Sequence, residues 1–88
     1  MLAISFTGQF KKDYKLCKKR GYNIDLFAEV INILSKPDIL PAKNKDHFLT
    51  GNYANKKECH IAPDWLLIYR IEGNELISYR TGTHADLF

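Results

Sequence analysis

Apolar and polar positions change their spacing several times along this chain, and each change marks a predicted element. Leu2, Ile4 and Phe6 alternate with Ala3 and Ser5, the period of a short, half-buried strand. The period then lengthens. Phe10, Tyr14 and Cys17 recur at helical spacing, Thr7 stands where an N-cap belongs, and Gly21 after Arg20 supplies a C-terminal stop. Asn23 caps a second predicted helix, in which Leu26, Phe27, Val30, Ile31 and Leu34 form one stripe before Pro37 ends it. Such stripes read as core, because a chain this short has few other side chains with which to cover a sheet. From Lys36 to Lys45 two prolines and the lack of any period predict a loop, with His47 at its end or at the start of a short strand. A second polar loop follows from Gly51 to Lys57.

The last third, Glu58 to Phe88, carries the longest apolar run. Trp65 to Ile71 is apolar at both alternating positions apart from Arg70, as in a strand covered on both sides or placed centrally in a small sheet. Its neighbours alternate instead. Cys59 and Ile61 interleave with Glu58 and His60, and Ile77 and Tyr79 interleave with Ser78 and Arg80. If Cys59, Ile61, Ile77 and Tyr79 face a core, then His60 and Arg80 share the opposite sheet face. Turns fall at Ala62-Pro63-Asp64 and Glu72-Gly73-Asn74-Glu75. The order strand, helix, helix, strands predicts one α+β domain over residues 1–88. Its N-terminal strand and two helices pack on one face of a small antiparallel C-terminal sheet, and the other face stays open for ligand.

Composition narrows what such a face can do. With 88 residues there is no room for a separate cofactor domain. No apolar run approaches the ~18 residues of a membrane span, and no basic then apolar leader opens the chain, so a cytoplasmic protein with no membrane partner is expected. Cys17 and Cys59 form no CxxC and read as free thiols in a reducing compartment. Charge changes the picture more. The net charge is +3, and Lys11, Lys12, Lys15, Lys18, Lys19 and Arg20 crowd onto the first helix with Asp13 as the single acid among them. That patch is either a solvated helix face or a phosphate-binding surface for nucleic acid.

His47, His60 and His84 are far apart in the linear order, and only folding can bring them together. HxH, HExxH and paired CxxC spacings are absent, so the residues predict no metal site and no cofactor. Neither a GxSxG nucleophile setting nor a glycine-rich phosphate loop occurs. What remains is metal-free phosphodiester cleavage. A general base takes the proton of an RNA 2′-hydroxyl, a general acid protonates the departing 5′-oxygen, and a cation steadies the charge that builds on phosphorus. The histidines, Asp64 and Arg80 can fill these roles. Trp65 and Phe88 offer flat surfaces on which an unpaired base can stack, although both residue types are as often packing anchors.

Three stretches in order carry a resemblance that covers nearly the whole chain. They are Lys45-Asp46-His47 with Leu49 and Gly51, then Cys59-His60-Ile61 with Pro63-Asp64-Trp65-Leu66-Leu67-Ile68-Tyr69, and then Arg80-Thr81-Gly82-Thr83-His84 with Leu87-Phe88. Together they resemble the YafQ branch of the RelE/ParE superfamily, the toxins of type II toxin–antitoxin modules. The resemblance implies a RelE-like fold and a ribosome-dependent mRNA endoribonuclease neutralised by a cognate antitoxin. Its partners would be the ribosome, mRNA and, only within a toxin–antitoxin complex, operator DNA. It also places active-site histidines at His47, His60 and His84, the acidic residue at Asp64, the phosphate-contacting arginine at Arg80 and aromatics at Trp65 and Phe88. On that reading His84 and His60 lead in proton transfer, His47 and Asp64 assist or orient, and the basic helix from Lys11 to Arg20 lies against ribosomal RNA. A ParE-like gyrase poison and a non-catalytic antitoxin-binding module are the alternatives within the fold.

Overall fold

A computed structural model describes all of residues 1–88. Strand β1 (Ala3–Phe6) leads into helix α1 (Gly8–Lys19), whose N-terminus is closed by the Thr7 hydroxyl accepting from the Phe10 N–H. Helix α2 (Ile24–Ser35) starts in the same way, with the Asn23 side chain accepting from the Asp25 N–H. A 3-10 turn (Ala42–Asn44), the two-residue strand β2 (His47–Phe48) and a second 3-10 turn (Gly51–Tyr53) follow. Strands β3 (Lys57–Ala62), β4 (Trp65–Glu72) and β5 (Glu75–Gly82) form two hairpins, and a single helical turn, α3 (His84–Leu87), lies beyond them. Gly73 takes a positive φ of 57° in the tight β4–β5 turn, a conformation that favours glycine.

The five strands make one sheet in the order β1-β5-β4-β3-β2. The expected sheet was purely antiparallel, with the first strand packed on its face; instead β1 joins the sheet and runs parallel to β5 from Ala3 opposite Glu75 to Phe6 opposite Ser78. The reason is that the outer edge of β5 would otherwise show unpaired backbone groups. Beyond Phe6 the same edge is sealed by α1 and the residue before it. The Thr7 hydroxyl donates to the Tyr79 carbonyl, and the Asp13 carboxylate accepts from the Thr81 N–H.

Apolar residues on both sides of β4 separate two cores. Phe10 and Cys17 from α1, and Phe27, Val30, Ile31 and Leu34 from α2, pack on Cys59, Trp65, Leu67, Tyr69 and Leu76. Leu66 and Ile68 face the other way, against Leu87 of α3 and the flanking Leu49, Tyr53 and Tyr79. Each fully buried leucine or isoleucine contributes ~1.5–3 kcal/mol, so the central strand anchors both layers. The second sheet face is therefore not wholly open, because α3 and the Gly51–Tyr53 turn cover part of it. The alternation expected in β5 also differs. A bulge between the Ile68 and Tyr69 pairings puts Ser78 opposite Tyr69 but Arg80 opposite Ile68. Leu76, Ser78 and Thr81 are thus the buried set, while Ile77 and Tyr79 are only half-buried. Both cysteines are free and buried, and burial raises both thiols above their ordinary value. No helix is long and apolar enough to cross a membrane.

Candidate active site

Sheet register sets out which side chains share the second sheet face. Glu58 on β3 and Arg80 on β5 both lie opposite Ile68, and His60 and Gly82 both lie opposite Leu66. Residues directly opposite in neighbouring strands share a face, so Glu58, His60 and Arg80 share one side of the sheet. That His60 and Arg80 would meet on one face was readable from alternation in β3, and the β5 bulge is what brings Arg80 there. On β2, His47 pairs with Glu58 and brings a second imidazole to the same row.

The row continues into α3. The His84 ring lies edge-on to that of His60 with centroids 5.8 Å apart, and Phe88 follows at 6.2 Å from His84. Tyr53 closes the line with its ring 5.6 Å from Phe88. The three histidines are therefore gathered in one row on this face.

Each imidazole has a fixed partner. The His47 Nδ1 lies 2.7 Å from the Lys45 carbonyl, which can only accept, so Nδ1 carries the hydrogen and Nε2 turns to Glu58 at 3.5 Å. The His60 Nε2 approaches the same carboxylate oxygen at 3.9 Å. Asp64, in the β3–β4 turn, accepts from both the backbone N–H and the Nδ1 of His84, each at 3.2 Å. The backbone N–H of His84 is the main cause that holds the Asp64 carboxyl below its ordinary value. This contact assigns the His84 Nδ1 as a donor and leaves its Nε2 for chemistry.

A helix of one turn needs outside help to hold His84 in place. The Thr83 hydroxyl and the Asp86 carboxylate cap each other's backbone N–H reciprocally. Arg20 then grips Asp86 with two hydrogen bonds, of 2.6 and 3.1 Å. Gly82 permits the close fit: a Cβ there would come within 2.9 Å of the Asp86 carboxylate, and its φ of 155° disfavours a side chain.

Two expected contacts with substrate are corrected by these placements. Trp65 is only 3% exposed, its ring packs on Tyr22 and its Nε1–H donates to the Thr81 hydroxyl, so it belongs to the helix-covered core and offers no stacking face. Arg20 is not a free cation of the basic helix, since both of its terminal nitrogens donate to the Asp86 carboxylate. Lys11, Lys12, Lys15, Lys18 and Lys19 are exposed along α1. Phe88 is 63% exposed at the end of the histidine row. Arg80 is half-buried, with its Nε 2.7 Å and one terminal nitrogen 3.3 Å from Asp13, which raises its pKa above the ordinary guanidinium value.

Sequence reasoning missed Glu58, Tyr53, Asp13 and Asp86. Glu58 is only 4% exposed, and its one signal was its place two residues before His60 on an alternating strand. Asp13 was visible only as the single acid in a basic run. Three donors, Glu58, His60 and His84, also lie with one ligand atom each within 4.8 Å of one another. Two imidazoles and a carboxylate suit a transition-metal ion such as copper or zinc. The linear spacings had predicted no such set, because its members come from one strand and a distant helix.

Comparison with known proteins converges on one family. The family described as "Bacterial toxin of type II toxin-antitoxin system, YafQ" matches residues 2–88. The chain is 40% identical over 86 residues to the mRNA interferase toxin YafQ of Escherichia coli K12, covering 97% of this chain and 94% of that one. Among solved structures, a metal-bound toxin from Helicobacter pylori superposes with a TM-score of 0.93 at 39% identity, with all of both chains covered. The E. coli DinJ–YafQ complex gives a TM-score of 0.90 at 38% identity, covering 100% of this chain and 99% of that one. A sheet face that gathers three histidines, in a chain matched from end to end at this identity, places it in the YafQ family of bacterial type II toxin–antitoxin toxins.

Proposed function

We propose that this protein is an mRNA interferase, the toxin of a type II toxin–antitoxin pair, and that it cuts RNA at the His60–His84 row. The observation that carries the reading is the meeting of two oriented imidazoles from β3 and α3 beside an exposed aromatic and an arginine. One imidazole accepts the 2′-hydroxyl proton as the O2′–P bond forms. The other donates a proton to the 5′-oxygen as the P–O5′ bond breaks, which leaves a cyclic phosphate and a free 5′-hydroxyl. Glu58 and Asp64 hold the rings in register, and the guanidinium of Arg80, oriented by Asp13, stabilises charge on the phosphoryl oxygens. Phe88 offers its open face to a base. His47 assists from the far side of Glu58.

E. coli YafQ forms a complex with DinJ. By the same logic a cognate antitoxin partners this chain, with an acidic segment over the exposed lysines of α1, and translating ribosomes present the message. Removal of a proton-transfer group lowers rate by ~10²–10⁴-fold. We therefore expect His84→Ala to cut programmed-ribosome mRNA that much more slowly, with thermal stability close to wild type because the side chain is exposed. Cleavage at the wild-type rate overturns the assignment.

A further inference from the structure

Beside the histidine row the fold leaves a second feature that this mechanism does not use. Strand β2 pairs only with Lys57 and Glu58, so the edge of β3 from His60 onward has no strand neighbour. The 3-10 turn at Ala42–Asn44 covers that edge instead. The buried Asn44 donates from its side-chain amide to the His60 carbonyl at 2.7 Å. Between this turn, the β3 end and α2 lies a cleft of about 420 Å³, lined by Leu26, Lys43, Lys45, His60, Ile61 and Pro63 among others. Its size falls within the roughly 300–1,000 Å³ typical of small-molecule sites.

We propose that this cleft is a nucleotide subsite, which holds the mRNA residue next to the scissile phosphate, and the proposal rests on the RNA-cleaving reading above. Three features of the cleft select that occupant. Lys43 and Lys45 are exposed, and neither has an acidic partner within ion-pair distance, so two cations stand free on the rim. Leu26, Ile61 and Pro63 supply an apolar wall for the face of a base. His60 also lines the cleft, at the exposed edge of β3 where the helix-packed side carrying Leu26 and Ile61 meets the side carrying the catalytic row, so a strand with its phosphate at His60 and His84 can turn over that edge into the opening.

Backbone conformation ties the two sites together. Lys45 adopts a left-handed φ of 47°, uncommon for a residue with a side chain, and its carbonyl is the one that fixes the His47 tautomer. The same turn therefore places Lys45 on the cleft rim and orients a histidine. Apart from His60, the subsite residues position RNA and take no part in proton transfer. Lys43 and Lys45 neutralise a flanking phosphate, while the apolar wall accepts any base by its face.

The test is single-turnover cleavage of message on programmed ribosomes by Lys43→Ala, which leaves the Lys45 turn behind His47 untouched. The expected result is a severalfold higher half-saturating concentration with the saturated rate within about twofold, a gap that narrows as salt rises. Lys43→Arg should restore binding, and affinity for message-free ribosomes should not change. An unaltered half-saturating concentration overturns the subsite. So does an equal loss on message-free ribosomes, which would assign Lys43 to ribosomal RNA. His84→Ala in the same assay separates the two readings: if it cleaves normally, the nuclease assignment fails, whereas if only the lysine variant is silent, the subsite alone fails.

Discussion

Trp65 and Phe88 are alike as flat surfaces in a linear sequence, and only their surroundings divide them. A tryptophan at the head of an apolar strand and a phenylalanine beyond the last turn carry no mark of which is wet. The structure buries Trp65 against Tyr22 and ties its Nε1 to Thr81, while Phe88 stays open beside His84. Trp65→Ala should thus cost ~3–5 kcal/mol of stability through the cavity it leaves, measured as a lower denaturant midpoint. Phe88→Ala should leave that midpoint nearly unchanged and weaken cleavage instead. A reversal of these two outcomes would exchange their roles. His60 was legible in the same way that Trp65 was not, because period-two alternation in β3 states which face each side chain takes. Glu58 obeys that alternation, yet a buried carboxylate is recognised only once its two histidine neighbours are known.

At the scale of elements, the two long helices, their caps and both hairpin turns followed from spacing and from Thr7, Asn23, Gly73 and the prolines. Helix α3 did not. Four residues are too few for any period to show, and the turn is stabilised by contacts from far away in sequence rather than by its own propensity. Its clamp makes a prediction about pH. The Arg20 guanidinium first, and then the Thr83 N–H, hold the Asp86 carboxyl well below the usual carboxylate range. A carboxyl depressed on folding stabilises the protein above its unfolded value, ~3.9, and that contribution fades as pH falls towards the folded value. Asp86→Asn should therefore lose about 1 kcal/mol at neutral pH, the usual size of a lost cap or exposed ion pair, and the gap to wild type should close below about pH 4. Chemical denaturation at a series of pH values checks this. The variant should also cleave more slowly at neutral pH, because His84 stands on the turn that Asp86 closes.

The whole molecule divides its tasks between opposite ends of the sequence. Residues up to Ser35 supply β1, the basic helix and most of the packing on one sheet face, whereas those after Lys45 supply the histidine row on the other. The basic run was legible as a patch because charge needs no folding to be seen; that Arg20 leaves it for Asp86, and that Asp13 leaves it for Arg80, are long-range pairings that no local pattern encodes. Lys15, Lys18 and Lys19 remain as exposed cations. Reversal of all three to glutamate should weaken ribosome binding by about tenfold or more at low salt and by far less at high salt, as expected when counterion release drives association. Equal losses at both salts would point to misfolding.

The parallel pairing of β1 with β5 has a temporal side. A chain is made from its amino end, so Ala3–Phe6 waits unpartnered until Glu75–Ser78 arrives, and β5 is also what carries α3 to the sheet. His84 meets His60 only once β5 has paired with β4. A growing chain that has made both long helices but not yet β5 and α3 therefore lacks the His60–His84 pair, so competence follows the assembly of the sheet rather than preceding it.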